Sequence, residues 1–195
     1  MRVVCVLGSP RKNGNSATVA RRFVDKARSN GSDVQVYLLN ELEFKGCQAC
    51  MACKTTREDC VLDDGLTSVL KDVSRTDVLV LASPIYFGGV SAQMKAFIDR
   101  TYSFLTPHFY RKEKHSRLDP GKKLVFILSQ GQKEESKFQD IFVRYEHFLK
   151  WYGFDDTYVI RACGVDNVDD VLSRQDILDM TDMIAEKIWK KSSIL

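Results

Sequence analysis

The feature that most restricts this chain is a repeated change of hydrophobic period. Continuous apolar runs stand at residues 3–7, 78–82 and 124–128, each short, rich in aliphatic residues and ended by Gly or Ser. Such runs predict strands buried on both faces, as in a parallel sheet. Residues 34–38 and 157–162 interleave polar with apolar side chains and read as less covered edge strands. Between the runs the apolar residues fall at helical spacing: 20–27, 66–73, 94–101, 138–152 and 177–188 each present one apolar face.

Five βα repeats in succession predict an α/β fold with helices on both faces of a parallel sheet and right-handed crossovers. With strands one, three and four interior and strands two and five at the edges, the strand order is 2-1-3-4-5. That order describes a flavodoxin-like three-layer α/β/α sandwich, whose ligand crevice lies beyond the carboxyl ends of strands one and three. A length of 195 residues predicts a single domain over 1–195, with a cysteine-rich insert at about 44–63. The two longest connections, 40–64 and 104–121, are where added function is expected.

Charge and composition exclude several classes. With 29 Lys+Arg against 26 Asp+Glu, the net charge of +3 is far from that of a dedicated nucleic-acid binder. The longest apolar runs are too short for a membrane span or a signal segment, which predicts a cytoplasmic protein with neither nucleic-acid nor membrane partners. The six cysteines are then expected as thiols, and the clustering of Cys47, Cys50, Cys53 and Cys60 points to a metal or redox site before a disulfide framework.

Two loops carry the chemistry of a ligand site. Strand one runs into Gly8-Ser9-Pro10-Arg11-Lys12-Asn13-Gly14-Asn15-Ser16, and a helix starts near Ser16. A loop of small, hydroxylated and amide residues at a helix N-terminus offers free N–H groups and the positive end of the dipole to a phosphate. Ser9, Asn15 and Ser16 are candidate side-chain donors, Gly14 permits close backbone approach, Arg11 adds charge, and Asn13 completes the loop. The alternative is an ordinary βα turn in which Ser16 only caps the helix. Neither of the common glycine-rich phosphate fingerprints is present. The acidic cluster that a phospho-accepting receiver needs after strand one is also missing. After strand three, Pro84, Ile85, Tyr86, Phe87 and Gly88 offer a stiffened exit, a flat aromatic surface and close backbone approach, which suit a flavin ring. The competing reading has the aromatics anchoring the loop to the core.

Taken together, G-S-x-R-x-x-G-N-S at 8–16, P-x-Y-x-G at 84–88 and Met94-Lys95-Ala96-Phe97-Ile98-Asp99-Arg100 resemble the NADPH-dependent FMN reductase group of the flavodoxin-like superfamily. The resemblance covers roughly 1–150. It implies an FMN-binding, NAD(P)H-linked oxidoreductase whose first loop holds the phosphate and whose second holds ribityl and ring. A third loop, at Ser129, Gln130 and Gly131, would close the ring's other side. It also implies a homodimer or larger assembly and a small-molecule or protein redox partner.

The cysteines are spaced C-x2-C-x2-C-x6-C after Gly46, so that a short loop could wrap one corner of a cubane while the fourth closes from a distance. The spacing leaves open a [4Fe-4S] cluster, free thiols or a labile disulfide, and zinc. Within the family it resembles the compact motif of the iron–sulfur flavoproteins, which implies a cluster exchanging electrons with FMN. Cys5 and Cys163 read as core thiols. No acid or base residue stands out, and the three histidines show no metal spacing. The basic insertion at 104–121 would cover the flavin, meet a second subunit, take an anionic nicotinamide phosphate, or simply be solvated. The alternatives from other classes are an electron-carrier flavoprotein without its own substrate and an FMN-dependent quinone or azo reductase lacking a cluster.

Overall fold

The structure, a computed structural model, describes residues 1–192. Its central sheet is built from β1 (Arg2–Leu7), β2 (Asp33–Leu38), β3 (Val78–Tyr86), β5 (Lys122–Gln130) and β6 (Phe154–Cys163), in the order β2-β1-β3-β5-β6. All four pairings along this path are parallel. Setting aside β4 (Gly89–Val90), this is the order expected from the sequence. The added strand pairs antiparallel with the end of β3, Ile85 opposite Val90 and Tyr86 opposite Gly89.

Alternation along each strand sends successive side chains to opposite faces and so creates two cores. Val3, Cys5 and Leu7 pack with α1 (Asn15–Ser29) and α6 (Gln175–Ser192), through Phe23, Val24, Ile184 and Ile188. Val4 and Val6 pack on the other face with α3 (Leu66–Ser74), α4 (Ala92–Arg100) and α5 (Asp140–Lys150). The interior strands are continuously apolar because they are covered on both sides, and the edge strand β2 alternates because it is not. Among the described residues no helix is long and apolar enough to cross a membrane.

The fourth helix departs from the expected boundaries. Phe138, read by period as part of its apolar face, lies outside α5 with φ +63°. The connection at 40–64 holds only a short turn at Leu39–Glu41 and the single-turn α2 (Ala52–Thr55), so its shape depends on contacts with the rest of the fold.

Candidate functional site

The carboxyl ends of β1, β3 and β5 open onto a cavity of about 250 Å³ lined by Ser9, Arg11, Gly14, Asn15, Ser16, Pro84, Ile85, Tyr86, Ser129, Gln130, Gly131, Val165 and Asp166. Ten of the thirteen cofactor residues expected from the sequence therefore meet at one place; Asn13, Phe87 and Gly88 do not line this cavity. A second cavity of about 520 Å³ shares Ile85, Gln130, Gly131 and Asp166 with it and adds Phe138 and residues 132–134.

The first loop closes on itself. Ser9 Oγ donates to the Arg11 carbonyl at 3.0 Å and accepts from the Arg11 amide at 3.1 Å, while the Gly14 amide donates to the same carbonyl at 3.1 Å. A side chain at Gly14 would put its Cβ 2.7 Å from Ser9 Oγ, so that serine would have to shift out of its bonds to the turn. Arg21, in the second turn of α1, donates to Asn13 Oδ1 at 2.9 Å and to the Lys12 carbonyl, holding the outer part of the loop. Helix α1 begins without a side-chain cap and without an acidic residue in its first turn. Ser16 Oγ, in that first turn, is buried with no hydrogen-bond partner. A buried hydroxyl without a partner is costly unless something supplies the bond.

Asn15 lines the crevice and is also engaged by the chain itself. Its Nδ2 donates to the Asn167 carbonyl at 2.8 Å and its Oδ1 accepts from the Val171 amide at 3.1 Å. The side chain clamps the segment after β6 against the phosphate loop. That segment brings Asp166 into the site, where its carbonyl accepts from Arg11 Nη1 at 3.3 Å. A Cβ at Gly131 would lie 1.8 Å from Asp166 Oδ1, so the third loop and the post-β6 segment are in close approach. Sequence reasoning missed Val165 and Asp166, and no local signal marks them.

The second loop is a tight hairpin. Phe87 and Gly88 both have positive φ, +46° and +72°, as a two-residue turn of the primed type requires. Phe87, strained there as a non-glycine residue, stands wholly exposed at the tip. Behind it, Phe138 lies 3.5 Å from where a Cβ on Gly88 would be, forming the far wall of the second cavity. The 132–138 segment is held by Gln130, which donates to the carbonyls of Gln132 at 3.0 Å and Glu134 at 3.2 Å. Arg161 supports it too, donating to Gln130 Oε1 and to the Lys137 carbonyl, each at 2.7 Å.

The four cysteines of the insert line a separate cavity of about 150 Å³ with Arg100, Tyr102, Met51 and Leu62. All four are free thiols, Cys47 and Cys50 exposed, Cys53 and Cys60 half-buried. Ala49 and Met51 take positive φ, which lets the loop curl around its cysteines. Lys54 Nζ lies 3.6 Å from Cys53 Sγ, and Arg100 Nε donates to Cys60 Sγ at 3.1 Å. Among the described residues no group of three His, Cys, Asp or Glu side chains is placed to hold a single metal ion.

The insertion at 104–121 packs against this cysteine segment. Lys54 Nζ donates to the carbonyls of Tyr102 at 2.6 Å and Leu105 at 2.9 Å, and Arg117 Nη2 donates to the Cys53 carbonyl at 3.0 Å. Burial pulls the Lys54 ammonium below its ordinary value, with Cys53 opposing. For Asp64, burial works against the charge. Hydrogen bonds from Arg100 and from the Leu66 and Lys45 amides nevertheless hold its carboxyl below the usual range.

The sequence profile of the NADPH-dependent FMN reductase family matches residues 1–136. An iron-sulfur flavoprotein of Methanocaldococcus jannaschii is 35% identical over 101 residues, 52% of each chain. One from Archaeoglobus fulgidus is 30% identical over 135 residues, 69% of this chain and 58% of that protein. The chain spans about half the length of the curated relatives it matches. Among solved structures, an NAD(P)H:quinone oxidoreductase from Methanothermobacter marburgensis superposes with TM-score 0.75 at 18% identity, over 96% of both chains. An FMN-dependent NADH-azoreductase from Bacillus anthracis, in complex with FMN, superposes with TM-score 0.70 at 13% identity, over 96% of this chain and 98% of that one. Those two likenesses establish the fold, and the profile match establishes the family: this chain belongs to the NADPH-dependent FMN reductases.

Proposed function

We propose that this chain binds FMN in the crevice beyond β1, β3 and β5 and acts as an oxidoreductase with NAD(P)H as donor. In this reading Cys47, Cys50, Cys53 and Cys60 hold a [4Fe-4S] cluster. The observation that carries the flavin assignment is Ser16 Oγ, buried and unpartnered in the uncapped first turn of α1. A phosphate there would accept from that hydroxyl and from the first-turn amides, with Arg11 adding charge.

Bound FMN would supply the hydride- and electron-transfer chemistry that no side chain of this crevice offers. The chain's own residues bind and orient it. Gly14 keeps the backbone close to the phosphate. Ser129, Gly131 and Asp166 would offer polar contacts to the polyol, and Pro84, Ile85, Tyr86 and Phe138 would offer apolar surface to the ring. Phe87 and Gly88 form the turn that places Tyr86, while Asn13 acts from outside through Arg21.

The donor set supports the cluster. Four unpaired thiols surround one cavity, two of them beside a Lys or Arg nitrogen, and the curated relatives include several named iron-sulfur flavoprotein. A thiolate-ligated cluster supplies one-electron transfer.

The test is the content of flavin, iron and acid-labile sulfide per chain after anaerobic purification. Flavin with about four iron and four sulfide is expected. Flavin alone would leave a cluster-free reductase, and no flavin would overturn the central assignment. NADPH or NADH oxidation by the purified protein separates a reductase from a carrier without its own substrate. The assembly is proposed to be a homodimer, and a monomer by light scattering would overturn that.

A further inference from the structure

Helix α4 is attached at one end to the phosphate loop and at the other to the cysteine segment. At its start, Ser91 Oγ donates to the Gly8 carbonyl at 2.6 Å and the Ser91 amide donates to Ser83 Oγ at 2.9 Å. At its end stands Arg100, only 1% exposed. Nη1 donates to the Lys45 carbonyl at 2.8 Å and to Asp64 Oδ2 at 2.7 Å. Nη2 donates to the Leu62 carbonyl at 3.2 Å and to Asp64 Oδ1 at 3.3 Å. Nε donates to Cys60 Sγ at 3.1 Å.

Hiding a guanidinium from water costs several kcal/mol unless charge and donors are both satisfied. Asp64 balances the charge. The two carbonyls are a different matter: Lys45 comes two residues before Cys47 and Leu62 two residues after Cys60. One planar group thus fastens both ends of the cysteine segment, and its remaining N–H is aimed at the last sulfur. The segment has little regular structure of its own to set that sulfur's position.

We propose that Arg100 is a positioning residue for the cysteine site: it closes the segment from both ends and directs an N–H at Cys60 Sγ, fixing that sulfur as the last cluster ligand. The inference rests on the reading of the four cysteines as cluster ligands. Arginine is needed because its rigid fork serves several acceptors at once, whereas lysine offers a point charge. Partners of this kind orient ligands, and their loss typically weakens metal retention by roughly 10–100-fold.

The experiment compares the full chain, purified anaerobically, with Arg100→Lys and Cys60→Ser. Flavin, iron and sulfide content, far-UV and visible circular dichroism, and the rate at which a chelator strips iron are measured. Arg100→Lys is expected to keep its flavin and far-UV spectrum, to change the visible spectrum of the sulfur-to-iron region, and to lose iron about 10–100-fold faster. Cys60→Ser is expected to lose stable iron while keeping its flavin, as removal of the sulfur that Arg100 faces requires.

Iron release at the parental rate in Arg100→Lys would overturn the proposal, as would full iron retention in Cys60→Ser. Loss of flavin and helical signal together with iron would also overturn it, by making Arg100 a support of the whole domain. A parental chain with flavin but neither iron nor sulfide would instead overturn the cluster reading beneath it.

Discussion

The phosphate loop and the cysteine segment both follow a strand of the same sheet, yet they are made rigid by different means. Residues 8–16 are braced first within their own turn, by a serine bonded to Arg11, a glycine packed against that serine and a helix that starts at once, and only then by the ties of Arg11 and Asn15 to the segment after β6. Residues 45–62 have one helical turn and a few short-range bonds of their own, and are tied down mainly by charged side chains that cross to distant segments: Arg100 and Arg117 reach in, and Lys54 reaches out to the carbonyls of Tyr102 and Leu105. A site of the first kind is carried by its motif. One of the second kind exists only when the rest of the domain has folded around it.

The largest expected effect comes from removing one sulfur. Cys50→Ser should abolish stable iron retention while flavin remains bound, because Cys50 lines the cysteine cavity and takes no part in the crevice at the phosphate loop. Metal analysis and the flavin absorption spectrum check this. Loss of both cofactors would mean that the two regions are one cooperative unit, and the contrast between them would fail.

Next in size is Asn15→Ala. Deleting its carboxamide leaves the Val171 amide buried without an acceptor and frees the segment carrying Asp166. A destabilisation of about 1–3 kcal/mol follows, with a fall in Tm of about 2–4 °C for each kcal/mol in a domain of this size. Hydrogen exchange at Val171 should rise with it. An unchanged Tm would return Asn15 to the role of a simple phosphate contact.

Ser16→Ala is expected to split binding from stability. Its hydroxyl has no partner in the chain, so removing it should leave the flavin-free protein as stable as before, or slightly more so. A hydrogen bond to a charged phosphate is worth about 1.5–3 kcal/mol, so FMN affinity should fall at least about tenfold while riboflavin, which lacks the phosphate, binds as before. Equal losses for the two flavins would place Ser16 elsewhere in the crevice.

This difference in bracing also explains what could be read in advance. The strand order follows from which apolar runs are continuous and which alternate, and the phosphate loop from residues adjacent in sequence. The use of Asn15 as a clamp could not be read, because an amide serves a phosphate or a distant backbone equally well and its partners lie more than 150 residues away. Phe138 misled because hydrophobic period carries no sign of a left-handed backbone, and here φ +63° takes it out of α5 and into a cavity wall. Arg100 closes a motif that the sequence displays openly, yet its burial against Asp64, Lys45, Leu62 and Cys60 depends on how a loop folds back onto α4. Tertiary contacts of this kind leave no local pattern.

The smallest effect tests whether the two regions are coupled through their surface as well as through α4. Lys12, in the phosphate loop, lies 2.5 Å from Glu41, at the start of the connection that carries the cysteines. Their side chains are 72% and 47% exposed, so solvent screens the pair and its contribution should not exceed about 1 kcal/mol. Glu41→Gln should therefore shift Tm by no more than a few degrees, and by less at high salt, where the parental pair is already weakened. Flavin affinity and iron content should stay within twofold of the parent. A larger change in either would show that the exposed ion pair sets the relation between the sites, and that the cysteine segment draws part of its order from the phosphate loop itself.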